Sequence, residues 1–147
     1  ASLQHLPQDC KRGRVTHAIF HDTFIVLGRL DANGQRHPQS VLCGSTNFTA
    51  NGVYRQATVL HSLDHVDIAT RYREVLEQVR ATPADVGATR TWLTRNNPMQ
   101  PQASLFAGFS PRSGQGDLAE FVDIINSARR DLLFVTAGVK GPEVQTP

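Results

Sequence analysis

The stretch Asp31-Ala32-Asn33-Gly34-Gln35 constrains this chain more than any other. Asn-Gly accepts the positive φ values of a tight reversal, so the segment predicts a turn. A β-prone apolar run stands on either side of it. Phe24-Ile25-Val26-Leu27 precedes it, and Ser40-Val41-Leu42-Cys43, entered from Pro38 and ended by Gly44, follows it. Two such runs joined by a reversal predict a β-hairpin. Two polar strings flank the hairpin: His21-Asp22-Thr23 directly before the first arm, and Gly44-Ser45-Thr46-Asn47-Phe48-Thr49 directly after the second. Because the second arm returns beside the first, the two strings are expected near one another.

The rest of the chain reads as helices alternating with strands. Ala18-Ile19-Phe20 is an earlier apolar run, and a third strand is expected over 57–61, after a turn at Asn51-Gly52. Asp64 suits a helix N-cap, with Asp67 adding negative charge to the first turn. Ile68, Tyr72, Val75 and Val79 then recur at helical spacing, and Pro83 ends the helix. Thr91-Trp92-Leu93 reads as a shorter helical piece with Trp92 in the core. Asn96-Asn97-Pro98-Met99-Gln100-Pro101-Gln102 has linker composition. Beyond it, Leu105-Phe106-Ala107-Gly108-Phe109 reads as a strand and Ser110-Pro111-Arg112-Ser113-Gly114 as a polar loop. Asp117, with Glu120 at the capping-box position, opens a helix whose buried stripe is Leu118, Phe121, Ile125 and Ala128. Arg129 and Arg130 suit its negative end, and the apolar run 132–137 reads as a strand buried on both faces. Strand, helix, strand in that order is a βαβ unit, so the predicted class is α/β.

Composition sets bounds. The 147 residues fit one domain or one half of a larger one. With 39% hydrophobic and 19% charged residues, the chain can bury a core, which argues against disorder. A net charge of +2 does not by itself advertise nucleic-acid binding. No apolar run approaches the roughly 20 residues of a membrane-spanning helix, so no transmembrane segment is expected. Cys10 and Cys43 cannot form a disulfide scaffold and lack zinc spacing; Cys43, inside an apolar run, reads as a buried free thiol. The chain opens on Ala1 rather than Met and stops soon after an apolar run, so both ends are expected to be cut, and localisation is left open.

Chemistry is most plausible where the two polar strings meet. An imidazole from His21, a hydroxyl from Ser45 and a carboxamide from Asn47 can surround a small anion, with Gly44 letting backbone approach closely. The residues alone also fit an ordinary turn, and a lone histidine is more often structural than catalytic. Asp22 neighbours His21, yet successive strand side chains point to opposite faces. Tyr54 and Arg55 follow the second string and can line a substrate path. His5, His17 and His37 read as solvated or hydrogen-bonded, and Lys11-Arg12-Gly13-Arg14 as a solvated basic cluster.

Taken together, His21-Asp22-Thr23-Phe24-Ile25-Val26-Leu27 and Gly44-Ser45-Thr46-Asn47-Phe48-Thr49-Ala50-Asn51-Gly52 resemble the phospholipase D superfamily. There a strand carrying H-x-K-F is followed by G-S-x-N-F-[ST]-x-N-G. The likeness continues through the strand at 57–61 and the helix from Asp64. Phe109-Ser110-Pro111-Arg112-Ser113-Gly114 resembles the opening of a second repeat. The resemblance implies a mixed sheet flanked by helices in an incomplete domain: 1–97 as the C-terminal half of one repeat, 98–104 as linker, 105–147 as the start of the next. It also implies a parent with two repeats.

The chemistry implied is phosphodiester cleavage with no metal and no cofactor. One repeat's histidine attacks phosphorus to form a phosphohistidine, while the other's protonates the leaving group and then activates water. Carried over, His21 is the motif histidine, Asn47 the phosphate-binding amide and Ser45 the supporting hydroxyl, with Gly44 beside them. The chain also departs from the pattern. Thr23 stands where the family has lysine, and loss of a charged transition-state donor costs about 100- to 1000-fold in rate. Gly28 replaces the family's aspartate, Gln56 and Thr58 stand where a Glu or Asn is common, and no second H-x-K occurs. Arg112 is the candidate to replace the missing charge. The expected partners are a phosphodiester substrate, phospholipid or nucleic acid, and a second copy or the remainder of the parent chain. The alternative expectation is a degenerate module that binds phosphate-bearing ligands without turnover.

Overall fold

The computed structural model describes residues 23–100 and 103–133. The expected strand at 18–20, most of the run 132–137, the basic cluster 11–14, and His5, Cys10, His17, His21 and Asp22 lie outside those residues. The chain divides into two compact units, Ala1–Thr89 and Arg90–Pro147. The stretch 98–104, expected to link two domains, falls within the second unit. Helices and strands together make the chain α/β in content.

In the first unit, β1 (Thr23–Leu30), β2 (Arg36–Gly44) and β3 (Leu60–Leu63) form an antiparallel sheet in that order. The hairpin stands where the reversal predicted it. Asp31 organises the turn: its Oδ1 accepts from the Asn33 and Gln35 amides at 2.9 and 2.8 Å, and its Oδ2 lies 3.0 Å from His37 Nε2. Gly34 takes φ 75°, a value that suits glycine. The register runs from Thr23 opposite Gly44 to Leu27 opposite Ser40, then shifts at a bulge so that Gly28 faces Pro38. Proline cannot donate to a ladder, and Pro38 is tolerated because β3 pairs only with the far end of β2, Val41 to Gly44.

The turn expected at Asn51-Gly52 is instead the first part of a short helix, α1 (Ala50–Arg55). Thr49 caps it, its hydroxyl accepting from the Gly52 amide at 3.0 Å. Asn-Gly favours a reversal locally, but this cap and a close backbone approach at Gly52 favour helix. The third strand also starts later than expected, at Leu60 rather than at 57.

α2 (Val66–Ala81) ends at Thr82, just before Pro83, as expected. Its N-cap is His65 rather than Asp64: the imidazole Nδ1 accepts from the Ile68 amide. The predicted stripe holds, with Ile68, Ala69 and Val75 buried and Tyr72 and Val79 half-buried. α2 packs on β2 and β1. Along β1, Phe24 and Val26 are more sheltered than Ile25 and Leu27, so the helix covers the face that carries Phe24. Phe24 meets Tyr72 edge to face at 5.0 Å. Val41, cross-strand from Val26, is 1% exposed and anchors this core. Each side chain buried in this way contributes about 1.5–3 kcal/mol. Ile25, Leu27 and Leu60 remain exposed.

α3 (Val86–Asn96) is longer than the three-residue piece expected, and it runs across the boundary between the units. Leu93 is buried and Trp92 half-buried. The strand expected over 105–109 is absent. Ala107 and Phe109 are buried there in irregular backbone. A strand needs a neighbour to satisfy its amides, and all described strands belong to the first unit. No βαβ unit is therefore formed among the described residues.

A 3₁₀ turn at Ser113–Gln115 leads into α4 (Gly116–Asn126). Asp117 lies inside this helix rather than at its cap, and it is buried. Its carboxylate accepts from the Ser110 hydroxyl and from the Leu118 amide. The stripe expected to be buried is exposed, with Leu118 and Ile125 open and Phe121 55% accessible; α4 ends at Asn126, so Ala128, Arg129 and Arg130, expected in its last turns, lie beyond it. The helical period was legible, but the surface that would cover this face is not among the described residues.

Candidate functional site at one end of the sheet

β1 begins at Thr23 and β2 ends at Gly44, and these two residues are direct cross-strand partners. On its other side Gly44 pairs with Leu60 of β3. The start of β1, the loop after β2 and the start of β3 therefore meet at one end of the sheet. Two residues upstream of Thr23, His21 lies outside the described residues. Of the expected site residues, Thr23 and Gly44 are cross-strand partners, and Ser45 and Asn47 follow in the loop that leaves Gly44. A side chain at Gly44 has no room, since a Cβ there falls against the Val59 carbonyl and 3.0 Å from Leu60 Cα.

The loop after Gly44 is tied to the chain entering β3. The Ser45 amide donates to the Val59 carbonyl at 3.0 Å, and the Val59 amide donates to Ser45 Oγ at 3.1 Å. Accepting that bond occupies a lone pair of the hydroxyl oxygen and not its O–H. Thr46 is 2% exposed and donates to Thr58 Oγ1 at 2.7 Å. Ser45 and Asn47, on either side of it, are exposed. The Asn47 carbonyl accepts from the Thr49 amide at 2.7 Å, and Gly52 of α1 packs directly onto it. The result is a hydroxyl and a carboxamide facing solvent on a backbone held from both sides. Such a pair can donate to the oxygens of a tetrahedral anion. Sequence reasoning missed Thr46, whose signal was only its place between two candidate site residues.

Around this loop, Phe48, Val53, Val59 and Leu60 are exposed, and Tyr54 is 83% accessible. Arg55 is also exposed, at the end of α1. Cys43 is a free thiol, half-buried rather than fully enclosed, and faces His61 across the ladder.

Arg112 belongs to the second unit. Its Nε donates to the Phe109 carbonyl and its Nη1 to the Leu93 carbonyl, both at 3.0 Å. Its Nη2 donates to the Asn97 carbonyl and, at 3.3 Å, to Asn97 Oδ1. The guanidinium thus ties the C-terminal end of α3, at the Leu93 and Asn97 carbonyls, to the Phe109 carbonyl. Arg112 also lines a cavity of about 560 Å³ with Arg90, Ser110, Ser113 and Asp117.

The Asp31 carboxylate is stabilised by its neighbours in the hairpin turn. The His37 side chain, then the Gln35 and Asn33 amides, hold its carboxyl below the ordinary aspartate range. Among the described residues no cluster of three or more His, Cys, Asp or Glu is placed to hold a metal ion. No described helix is long and apolar enough to cross a membrane. Compared with known proteins, the chain matches no family model, no curated protein and no solved structure.

Proposed function

We propose that this chain is a phospholipase D-like module that acts on phosphodiester bonds, of a phospholipid or a nucleic acid, through a phosphohistidine formed on His21. The observation that carries the reading is the pairing of Thr23 with Gly44. Thr23 ends the H-x-T string and Gly44 opens the G-S-x-N string, and the reading uses both strings on one phosphate. In this reading His21 attacks phosphorus as the P–O bond to the leaving group breaks. Asn47 and the Ser45 hydroxyl donate to the non-bridging oxygens, where charge builds. A second histidine, from another repeat or a second copy, protonates the departing oxygen. The finer architecture belongs to the same proposal: a mixed sheet in an incomplete domain, 1–97 from one repeat and 105–147 from the next. Association with a second copy or with further chain goes with it, supported by the exposed apolar stripe of α4.

A second reading rests on Thr23 itself. A hydroxyl carries no charge where the family motif has lysine, and this favours a degenerate module that binds phosphate-bearing ligands without turnover. Hydrolysis of bis(p-nitrophenyl) phosphate in EDTA, by the chain and by His21→Ala, separates the two. Metal-independent turnover lost in His21→Ala supports the phosphodiesterase. Phosphodiester binding with no turnover supports the binding module, and neither activity nor binding overturns both.

A further inference from the structure

We infer that Thr46 is a positioning residue, whose buried hydroxyl bond to Thr58 locks Ser45 and Asn47 in the orientation that meets a phosphate; its functional part rests on the phosphate-site reading above. Three successive residues carry the argument. Ser45 and Asn47 are exposed, whereas Thr46 between them is 2% exposed. The burial alternates along these three residues, so fixing the middle side chain inward leaves the outer two facing solvent. The fixing contact is specific. Thr46 Oγ1 donates to Thr58 Oγ1 at 2.7 Å, a well-formed bond in a sheltered place.

Thr58 is the right anchor because it precedes Val59, the residue bonded twice to Ser45. Three hydrogen bonds thus join residues 45–46 to residues 58–59 as one patch. On the downstream side the Thr49 amide and the packing of Gly52 hold the Asn47 carbonyl. The segment between those holds has little freedom left except at the Asn47 side chain. A loop that donates to an anion gains from this arrangement, because its donors are ordered before the ligand arrives.

Thr46→Val keeps the shape and removes the hydroxyl, Thr46→Ser keeps the hydroxyl, and Thr58→Val removes the acceptor. Two readouts apply: hydrogen exchange of the Val59 amide, and the Kd for orthovanadate as a tetrahedral oxyanion probe. Thr46→Val and Thr58→Val are each expected to speed Val59 exchange and to weaken vanadate binding by about tenfold, while Thr46→Ser stays near wild type. Urea denaturation shows that each variant is folded. Val59 exchange unchanged in Thr46→Val overturns the lock. So does equal weakening by Thr46→Val and Thr46→Ser, since shape and not the hydroxyl would then matter. If the wild-type chain binds no vanadate, the phosphate reading and the positioning role fall together. The exchange readout then still decides whether the hydroxyl bond orders the loop.

Discussion

Thr23 and Gly44 face each other across the β1–β2 ladder, and on its other side Gly44 pairs with Leu60. One glycine therefore sits at the junction of all three strands. A Cβ at this position meets the Val59 carbonyl carbon at 2.9 Å and Leu60 Cα at 3.0 Å, both backbone atoms that cannot turn aside. Gly44→Ala is expected to destabilise the first unit by about 1–3 kcal/mol. Urea denaturation measures this as a lower midpoint, and an unchanged midpoint would contradict the close approach.

If the site cleaves phosphodiesters, Thr23 is where charge is lacking. Thr23→Lys is expected to raise metal-independent hydrolysis of bis(p-nitrophenyl) phosphate by about 100-fold, the usual worth of one transition-state donor. The gain must vanish in the double variant with His21→Ala. A rate that ignores the added lysine would speak against Thr23 lying beside the reacting phosphate.

Arg112 is bonded to three backbone carbonyls, those of Phe109, Leu93 and Asn97. Arg112→Met leaves these acceptors in a sheltered place without their charged donor, an expected loss of about 2–4 kcal/mol. Arg112→Lys should recover only part, because an ammonium cannot span the same fork. Thermal unfolding of the three proteins tests the order, and equal midpoints would show that the carbonyls do not need the guanidinium.

The hairpin turn has a pH dependence of known sign. Asp31 titrates below its ordinary value because the His37 side chain, then the Gln35 and Asn33 amides, stabilise the carboxylate. A group whose folded pKa is depressed stabilises above its unfolded pKa, and that contribution is lost as pH falls through the folded value. NMR titration of the Asp31 carboxyl between about pH 5 and pH 2 should place its midpoint below that of an unfolded peptide. Asp31→Asn should remove this part of the acid sensitivity. A midpoint at or above the peptide's would reverse the assignment.

Two apolar substitutions should behave oppositely although both residues lie on helical stripes. Ile68→Ala empties a buried position under the sheet and is expected to cost about 2–4 kcal/mol. Phe121 is 55% exposed on α4, so Phe121→Ser should cost less than about 1 kcal/mol in the chain alone. Chemical denaturation compares them directly. A large loss at Phe121 would mean that another part of the chain, or a second copy, covers that face in solution.

The sequence by itself determined the features that depend on near neighbours. Asn33-Gly34 placed the reversal, the apolar runs on either side placed β1 and β2, and the period of Ile68, Tyr72, Val75 and Val79 gave α2 and its inward face. The pairing of Thr23 with Gly44 followed from the hairpin alone, because a tight turn fixes which ends come together. Tertiary structure decided what local preference could not. Asn51-Gly52 reads as a turn but lies in α1, where Thr49 caps the helix and the Asn47 backbone leaves no room for a side chain at Gly52. The run 105–109 has strand composition but pairs with no strand among the described residues, since ladder bonds come from a distant segment. Arg112 reads as a charge for a phosphate, yet its guanidinium meets carbonyls of residues 15 and 19 positions away. Thr46 carries no signal in its own neighbourhood, because its hydroxyl's partner is Thr58, twelve residues on. Period and turn chemistry are written in adjacent residues, whereas hydrogen-bond partners and buried surfaces come from chain segments that only folding brings together.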